Sequence, residues 1–362
     1  MRISRPHEGL EPTDTRSSAA GASPSRRALM GGMAASAVAG SARAADYPVV
    51  GKVERLDPAL DALIDADAKV EKVLDGFIWC EGPVWVGGAD GFVLASDVRA
   101  NVIRRWNEKD GGSEWLKPSG WAGPPDPGLS EAGTNGLCLG RGGIVYADSG
   151  TRTVGVIDLK TRRKTVLCSH FEGKRFNSPN DVVLRSDGTI YFTDPPFGLK
   201  GAFSSPLREM DYTGVFRIGT DNVVTLVERY AGPNGIGLSP DGRTLYLSDR
   251  FASRADNGGW VAWSLDAAGY PVQKRTFIDR ASSPGGGDGL RVDSQGNIWA
   301  SGPSGLNVFT PQGKRIGAIH ADDVISNCEF GADGYLYMTS NHRLIRVRAK
   351  AKKLLWPVWK KA

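Results

Sequence analysis

Apolar and polar positions alternate along this chain in short paired runs, and the pairs recur. The clearest copies occupy residues 180–194 and 234–249. In each, a polar residue opens an apolar run, an Asp-Gly pair interrupts it, and a second apolar run follows and ends in Asp. Two alternating runs joined by Asp-Gly, Gln-Gly or Gly-Gly predict a β-hairpin, because such tips need φ > 0, which glycine adopts without strain. Copies open at Glu81, Asn135, Asn180, Asn234, Asp288 and Asn327, with spacings of 39 to 54 residues. Further strand-like runs lie between them at 102–106, 153–158, 214–218, 261–265, 306–309 and 344–347. Each repeat therefore predicts a sheet of about four strands, and a period of this size predicts an all-β fold, a six-bladed β-propeller. A β-sandwich would not repeat one motif so often.

Helix signals are scarce. The clearest is a short N-terminal helix opened by Asp57 as N-cap and Pro58 at the first helical position. The content of 47 Gly and 21 Pro in 362 residues suits many tight turns. The expected organisation is a leader over 1–44, a lead-in with the short helix over 45–69, and a single propeller over 70–362. The leader carries Arg26 and Arg27, then a weakly apolar stretch and an Ala-x-Ala site at 42–44. That order predicts a twin-arginine export signal and a periplasmic mature chain. No apolar run approaches the roughly 20 residues needed to span a bilayer.

The leader also holds six Arg against three acids, so the net charge of +5 overstates the mature chain. A basic, Trp-bearing tail closes the sequence at 352–361; contact with an anionic membrane surface or nucleic acid is one reading of it, solvated lysines after a closing strand are the favoured one, and export argues against a nucleic-acid partner. Four cysteines at 80, 138, 168 and 328 lack C-x-x-C spacing, which removes zinc-ribbon and thioredoxin chemistry. A disulfide in an oxidising compartment and buried free thiols both remain open. Oligomeric state is not legible.

In a propeller the first strands of all repeats surround one axis, so the opening residues should meet there. They are one Glu, one Asp and four Asn, all oxygen donors of the kind a hard cation such as calcium takes. Asn-Gly and Asp-Gly are also common turn pairs, so Glu81 is the most telling, since Glu is a poor turn residue. Two buried carboxylates, Glu81 and Asp288, repel each other and are expensive to desolvate, and a divalent cation removes both penalties.

These residues resemble the senescence-marker protein (regucalcin), gluconolactonase and luciferin-regenerating enzyme-like family over residues 70–340. The marks are the segments 81–85, 173–181, 191–199, 232–235 with 239–242, and 286–289. They look most like the bacterial gluconolactonase branch, whose members are often exported. The resemblance implies a six-bladed propeller with one catalytic divalent ion, Ca2+ or alternatively Zn2+, Mn2+ or Mg2+. Its metal ligands fall on Glu81, Asn234 and Asp288. Asn180 matches a position that binds metal in some members and substrate in others. Some members carry Arg two residues before Asn180. Ser178 stands there in this chain, and Arg175 is the candidate substitute.

The reaction so implied is opening of a small sugar lactone, with the cation as Lewis acid and Asp288 as general base or as the group that orients the water. Asn135, Asn180, Arg175 and Asn327 are the candidate substrate contacts, and Arg250 is a candidate at the mouth. A Ser-His-Asp hydrolase is disfavoured: there are four His, at 7, 170, 320 and 342, and no G-x-S-x-G elbow. The alternatives are a phosphotriester or other ester hydrolase on the same site, and a non-catalytic sugar-binding propeller.

Overall fold

The computed structural model describes residues 46–125, 127–250, 260–278, 287–302 and 305–354. The leader of 1–44 and the end of the basic tail lie outside them. The described chain is all-β, and no α-helix occurs in it. At the expected helix the chain makes one 3-10 turn, Pro58–Ala62, with the Asp57 side chain accepting the Ala59 N–H at 2.8 Å. Leu60, Leu63 and Ile64, spaced i, i+3 and i+4, face the core together.

Each repeat makes a four-stranded antiparallel sheet. Sheet I comprises Cys80–Val86, Phe92–Asp97, Val102–Asn107 and Gly111–Leu116. Sheet II comprises Thr134–Gly140, Gly143–Asp148, Thr153–Ile157 and Lys164–Cys168. Sheet III comprises Val182–Leu184, Ile190–Asp194, Thr213–Ile218 and Val224–Tyr230. Sheet IV comprises Pro233–Leu238, Thr244–Asp249, Trp260–Leu265 and Pro271–Ile278. Sheet V comprises Leu290–Val292, Ile298–Gly302, Gly305–Phe309 and Arg315–Ala321. Sheet VI comprises Asn327–Phe330, Tyr335–Ser340 and Arg343–Arg348, and takes its fourth strand, Val70–Asp75, from the start of the chain. A linking strand, Val49–Arg55, pairs with both Arg315–Ala321 and Val70–Asp75 and fuses sheets V and VI along their outer edges.

The hairpin tips follow the sequence pattern. Gly142, Gly188, Gly242, Gly296 and Gly334 sit at the tips of sheets II to VI with φ between 66° and 93°, where a side chain would be strained. In sheets III to VI an Asp closes the tip by accepting a backbone N–H two residues on: Asp187 from Thr189, Asp241 from Arg243, Asp293 from Gln295 and Asp333 from Tyr335.

The first strands touch in a closed cycle, I to II and so on through VI and back to I. Apolar layers fill the wedges between neighbouring sheets. Trp85 of sheet I stacks on Tyr337 of sheet VI at 5.5 Å, and Phe176, Phe192 and Phe216 pack edge and face around sheet III. The axis is filled by paired charges. Asp181 meets Arg291 at 3.2 Å, and Arg291 also donates to the carbonyls of Leu290 and Leu137. Farther along, Lys353 of the C-terminal segment meets Glu329 at 3.0 Å, both largely buried.

All four cysteines are free thiols, Cys80 and Cys328 fully buried, so the disulfide alternative does not apply. The ring is closed by Val70–Asp75 against Arg343–Arg348, and Arg346 fastens that joint. Its guanidinium binds Glu71 at 3.0 Å and Glu108 at 2.5 Å and lies over the rings of Tyr47, Trp106 and Tyr335 at 4.8, 5.3 and 4.0 Å. Arg346→Ala is expected to lower the unfolding free energy by about 2–3 kcal/mol, since charged hydrogen bonds and cation–π contacts are lost together. Arg346→Lys should recover part of that loss, both read from urea denaturation midpoints.

Candidate active site

The polar openings reach the axis through backbone contacts between neighbouring sheets. In four of the six sheets a glycine after the opening packs on the opening of the next sheet. A Cβ on Gly82 would lie 1.9 Å from the Asn135 carbonyl oxygen, and one on Gly136 would lie 2.7 Å from that of Asn180. On Gly235 it would lie 2.2 Å from the Asp288 oxygen, and on Gly289 2.1 Å from Asn327 Cγ. The N–H of Gly136 donates to Asn180 O at 2.7 Å, and that of Gly235 to Asp288 O at 3.0 Å. The Asn-Gly and Asp-Gly pairs are therefore close-approach sites, not turns. In sheet III, where Asp181 replaces the glycine, its carboxylate turns to Arg291 and accepts the Ile236 N–H at 3.4 Å.

One end of the axis opens into a cavity of about 250 Å3 lined by Glu81, Asn135, Asn180, Asn234 and Asp288. Five predicted residues are thus brought together from five sheets or their approaches. Arg175 and Asn327 are not in its lining. Arg175 lies on a ribbon formed by His170–Phe171 and Lys174–Arg175 and donates to the Thr151 carbonyl at 2.9 Å. Asn327 turns its Oδ1 back to the Cys328 N–H at 2.9 Å, with Gly289 packed on its amide. His320 pairs with Glu54 at 3.1 Å on the outer linking strand, away from the cavity.

The wall adds residues that the repeat pattern could not reveal: Trp79, Arg99, Glu131, Phe197 and Ala202. They come from loops. The excursion after sheet I pairs with the loop that follows Asp194: Ser130 and Glu131 both donate their N–H to Gly198 O at 2.9 and 3.2 Å, and Lys200 donates to Gly128 O at 2.9 Å. Leu129 bridges Leu199. This zipper carries Glu131, Phe197 and Ala202 over the cavity. The only hint in the sequence is the length of the Pro- and Gly-rich loop. Arg250 reaches the mouth, where it meets Asp288 at 3.4 Å while its side chain remains half exposed.

The cavity is acidic. Burial and the nearby Asp288 charge push the Glu81 carboxyl well above its usual range, against one compensating hydrogen bond from Gly82 N–H at 3.1 Å. Burial also raises Asp288, with Arg250 opposing it and Asp181 and Glu131 adding to it. Burial raises Glu131, opposed by Arg99 on one side and Arg250 on the other. Two carboxylates and two amide carbonyls, Glu81, Asp288, Asn180 and Asn234, form a set of hard oxygen donors that suits a divalent cation. Among the described residues no group of three or more His, Cys, Asp and Glu is placed to hold a metal, so any ion here would depend on the amides.

The SMP-30/gluconolactonase/LRE-like family matches residues 79–342, and the chain belongs to that family. It is 40% identical over 334 residues to a gluconolactonase of Zymomonas mobilis, covering 88% of this chain and 92% of that protein. A gluconolactonase of Xanthomonas campestris superposes with a TM-score of 0.72 at 28% identity, covering 85% of this chain and 98% of the other. Regucalcin of Agrobacterium tumefaciens, described as a calcium-binding protein, shares the fold at 18% identity with a TM-score of 0.61, over 86% and 98% of the two chains.

Two outcomes follow from this geometry. Gly82→Ala would drive a Cβ into the Asn135 backbone from φ +46° and should destabilise the fold by roughly 1–3 kcal/mol, read from the thermal midpoint. Glu81 supplies a pH signature. The unfolded chain ionises it near the usual value of about 4.3, whereas the folded chain holds the proton to higher pH. The folded state then binds more protons in that interval, so stability falls as pH rises through it. In EDTA, Glu81→Gln should melt a few degrees above the parent at neutral pH, and the two midpoints should converge as pH falls to about 4.

Proposed function

We propose that this chain is a metal-dependent lactonase that opens a sugar lactone of the aldonolactone type, built as a six-bladed propeller over residues 70–362 with a lead-in over 45–69. Its residues 1–44 act as a twin-arginine signal that delivers it to the periplasm. The observation that carries the reading is the convergence of Glu81, Asn180, Asn234 and Asp288 in one cavity, in a chain 40% identical to a gluconolactonase across nearly its whole length. The burial of Glu81 beside the like charge of Asp288, with no cation among the described residues against it, supports a divalent cation, with Ca2+ the first choice for such donors.

Glu81, Asn180, Asn234 and Asp288 would hold the ion, and when bound it would supply Lewis acidity toward a carbonyl and cancel the carboxylate repulsion. The protein's own groups do the rest. Asp288, steadied by Arg250, orients the attacking water. Asn135 offers its amide to the sugar hydroxyls. Trp79 and Phe197 give the ring an apolar wall that displaces bulk water, and within such a wall polar groups act more strongly on the reacting centre.

The test is a panel of sugar lactones and a phosphotriester, assayed with the mature chain in EDTA and with added Ca2+. Lactone turnover that needs Ca2+ and drops by on the order of 10²-fold or more in Glu81→Gln is expected. Phosphotriester turnover alone, or sugar binding without turnover of any substrate, would overturn the reading.

A further inference from the structure

Three carboxylates face the cavity, and the ligand set uses two of them. Glu131 is the third. It stands outside the ring of first strands, on the paired loops, where the backbone bonds to Gly198 fix its position. Its side chain is buried, at 8% exposure. The groups that bind it are the Ser149 hydroxyl, at 3.3 Å, and the Asn135 amide. An ionised carboxylate has about four acceptor sites, so capacity remains toward the cavity that it lines. The charges that face it are Arg99 and Arg250 on the walls and Glu81 and Asp288 on the floor.

We propose that Glu131 is the proton carrier of lactone opening, acting as general base toward the water and then as general acid toward the ring oxygen. The inference rests on the lactonase reading. As the water oxygen bonds to the carbonyl carbon, one water proton passes to the Glu131 carboxylate. As the ring C–O bond breaks, the ring oxygen keeps the electron pair and takes that proton from Glu131. One water is consumed, one hydroxy acid forms, and Glu131 returns to its carboxylate; the new acid releases its own proton to solvent. Asp288 suits this task less well. A carboxylate engaged with a cation loses proton affinity, and Arg250 already stands 3.4 Å from it. Glu131 has no ligand role, and burial keeps it basic.

The test compares the full mature chain with Glu131→Gln and Glu131→Asp in Ca2+, using D-glucono-1,5-lactone corrected for uncatalysed hydrolysis. For Glu131→Gln, kcat should fall on the order of 10²-fold with KM little changed, and the acid limb of the kcat–pH profile should vanish. Glu131→Asp should keep a displaced limb. Raised KM with intact kcat, or an unchanged acid limb, would overturn the proposal and make Glu131 a binding group. If Glu131→Gln does not fold, the Glu131→Asp limb decides: displaced supports, unmoved overturns. Absence of lactone turnover by the parent overturns both readings, whereas parent turnover with an unaltered Glu131→Gln overturns this one alone.

Discussion

The structure depends on a contact between backbones at the axis. A glycine on one first strand lies against the carbonyl of the polar residue that opens the next, as Gly82 does on Asn135, Gly136 on Asn180 and Gly235 on Asp288. No Cβ fits there. The contact sets how closely the first strands approach, and it turns five polar side chains toward one cavity. Where the motif carries this glycine, its repetition is thus a packing requirement before it is a chemical one. The chemistry uses what the packing delivers.

Charge divides the axis into two zones. Below the cavity the acids have cations of the same chain: Asp181 has Arg291, and Glu329 has Lys353. Buried pairs of this kind add little net stability, yet breaking one leaves a stranded charge. Arg291 therefore holds strands of sheets II, III and V in register through Leu137, Asp181 and its own backbone. At the cavity the balance differs. Glu81 has a single backbone hydrogen bond and a like charge for a neighbour. Unfavourable burial of this sort concentrates where function requires it, and here it coincides with the open end of the axis.

The cavity also depends on parts that do not repeat. The loop after sheet I and the loop after Asp194 pair through Gly128, Ser130, Glu131, Gly198 and Lys200. That pairing gives the site a wall with Glu131 and Phe197, while Arg99 and Arg250 approach from opposed sheets. Floor and wall thus have different origins: the floor comes from the repeat, and the wall from insertions in it.

The sequence by itself determined the all-β class, the hairpin tips and the axial residues Glu81, Asn135, Asn180, Asn234 and Asp288, because strand alternation, Asp-Gly tips and a fixed period are local signals. It overstated the helix at Asp57, where capping chemistry is present and the chain makes one 3-10 turn. The period did not record that Asn327 turns its side chain to its own strand, or that Arg175 lies on a two-stranded ribbon. Tertiary structure alone decided the role of Arg291, the closure of the ring through Arg346, and the arrival of Glu131 beside Arg99 and Arg250. These are meetings between segments distant in the chain, and no periodicity records which loop will lie over which strand.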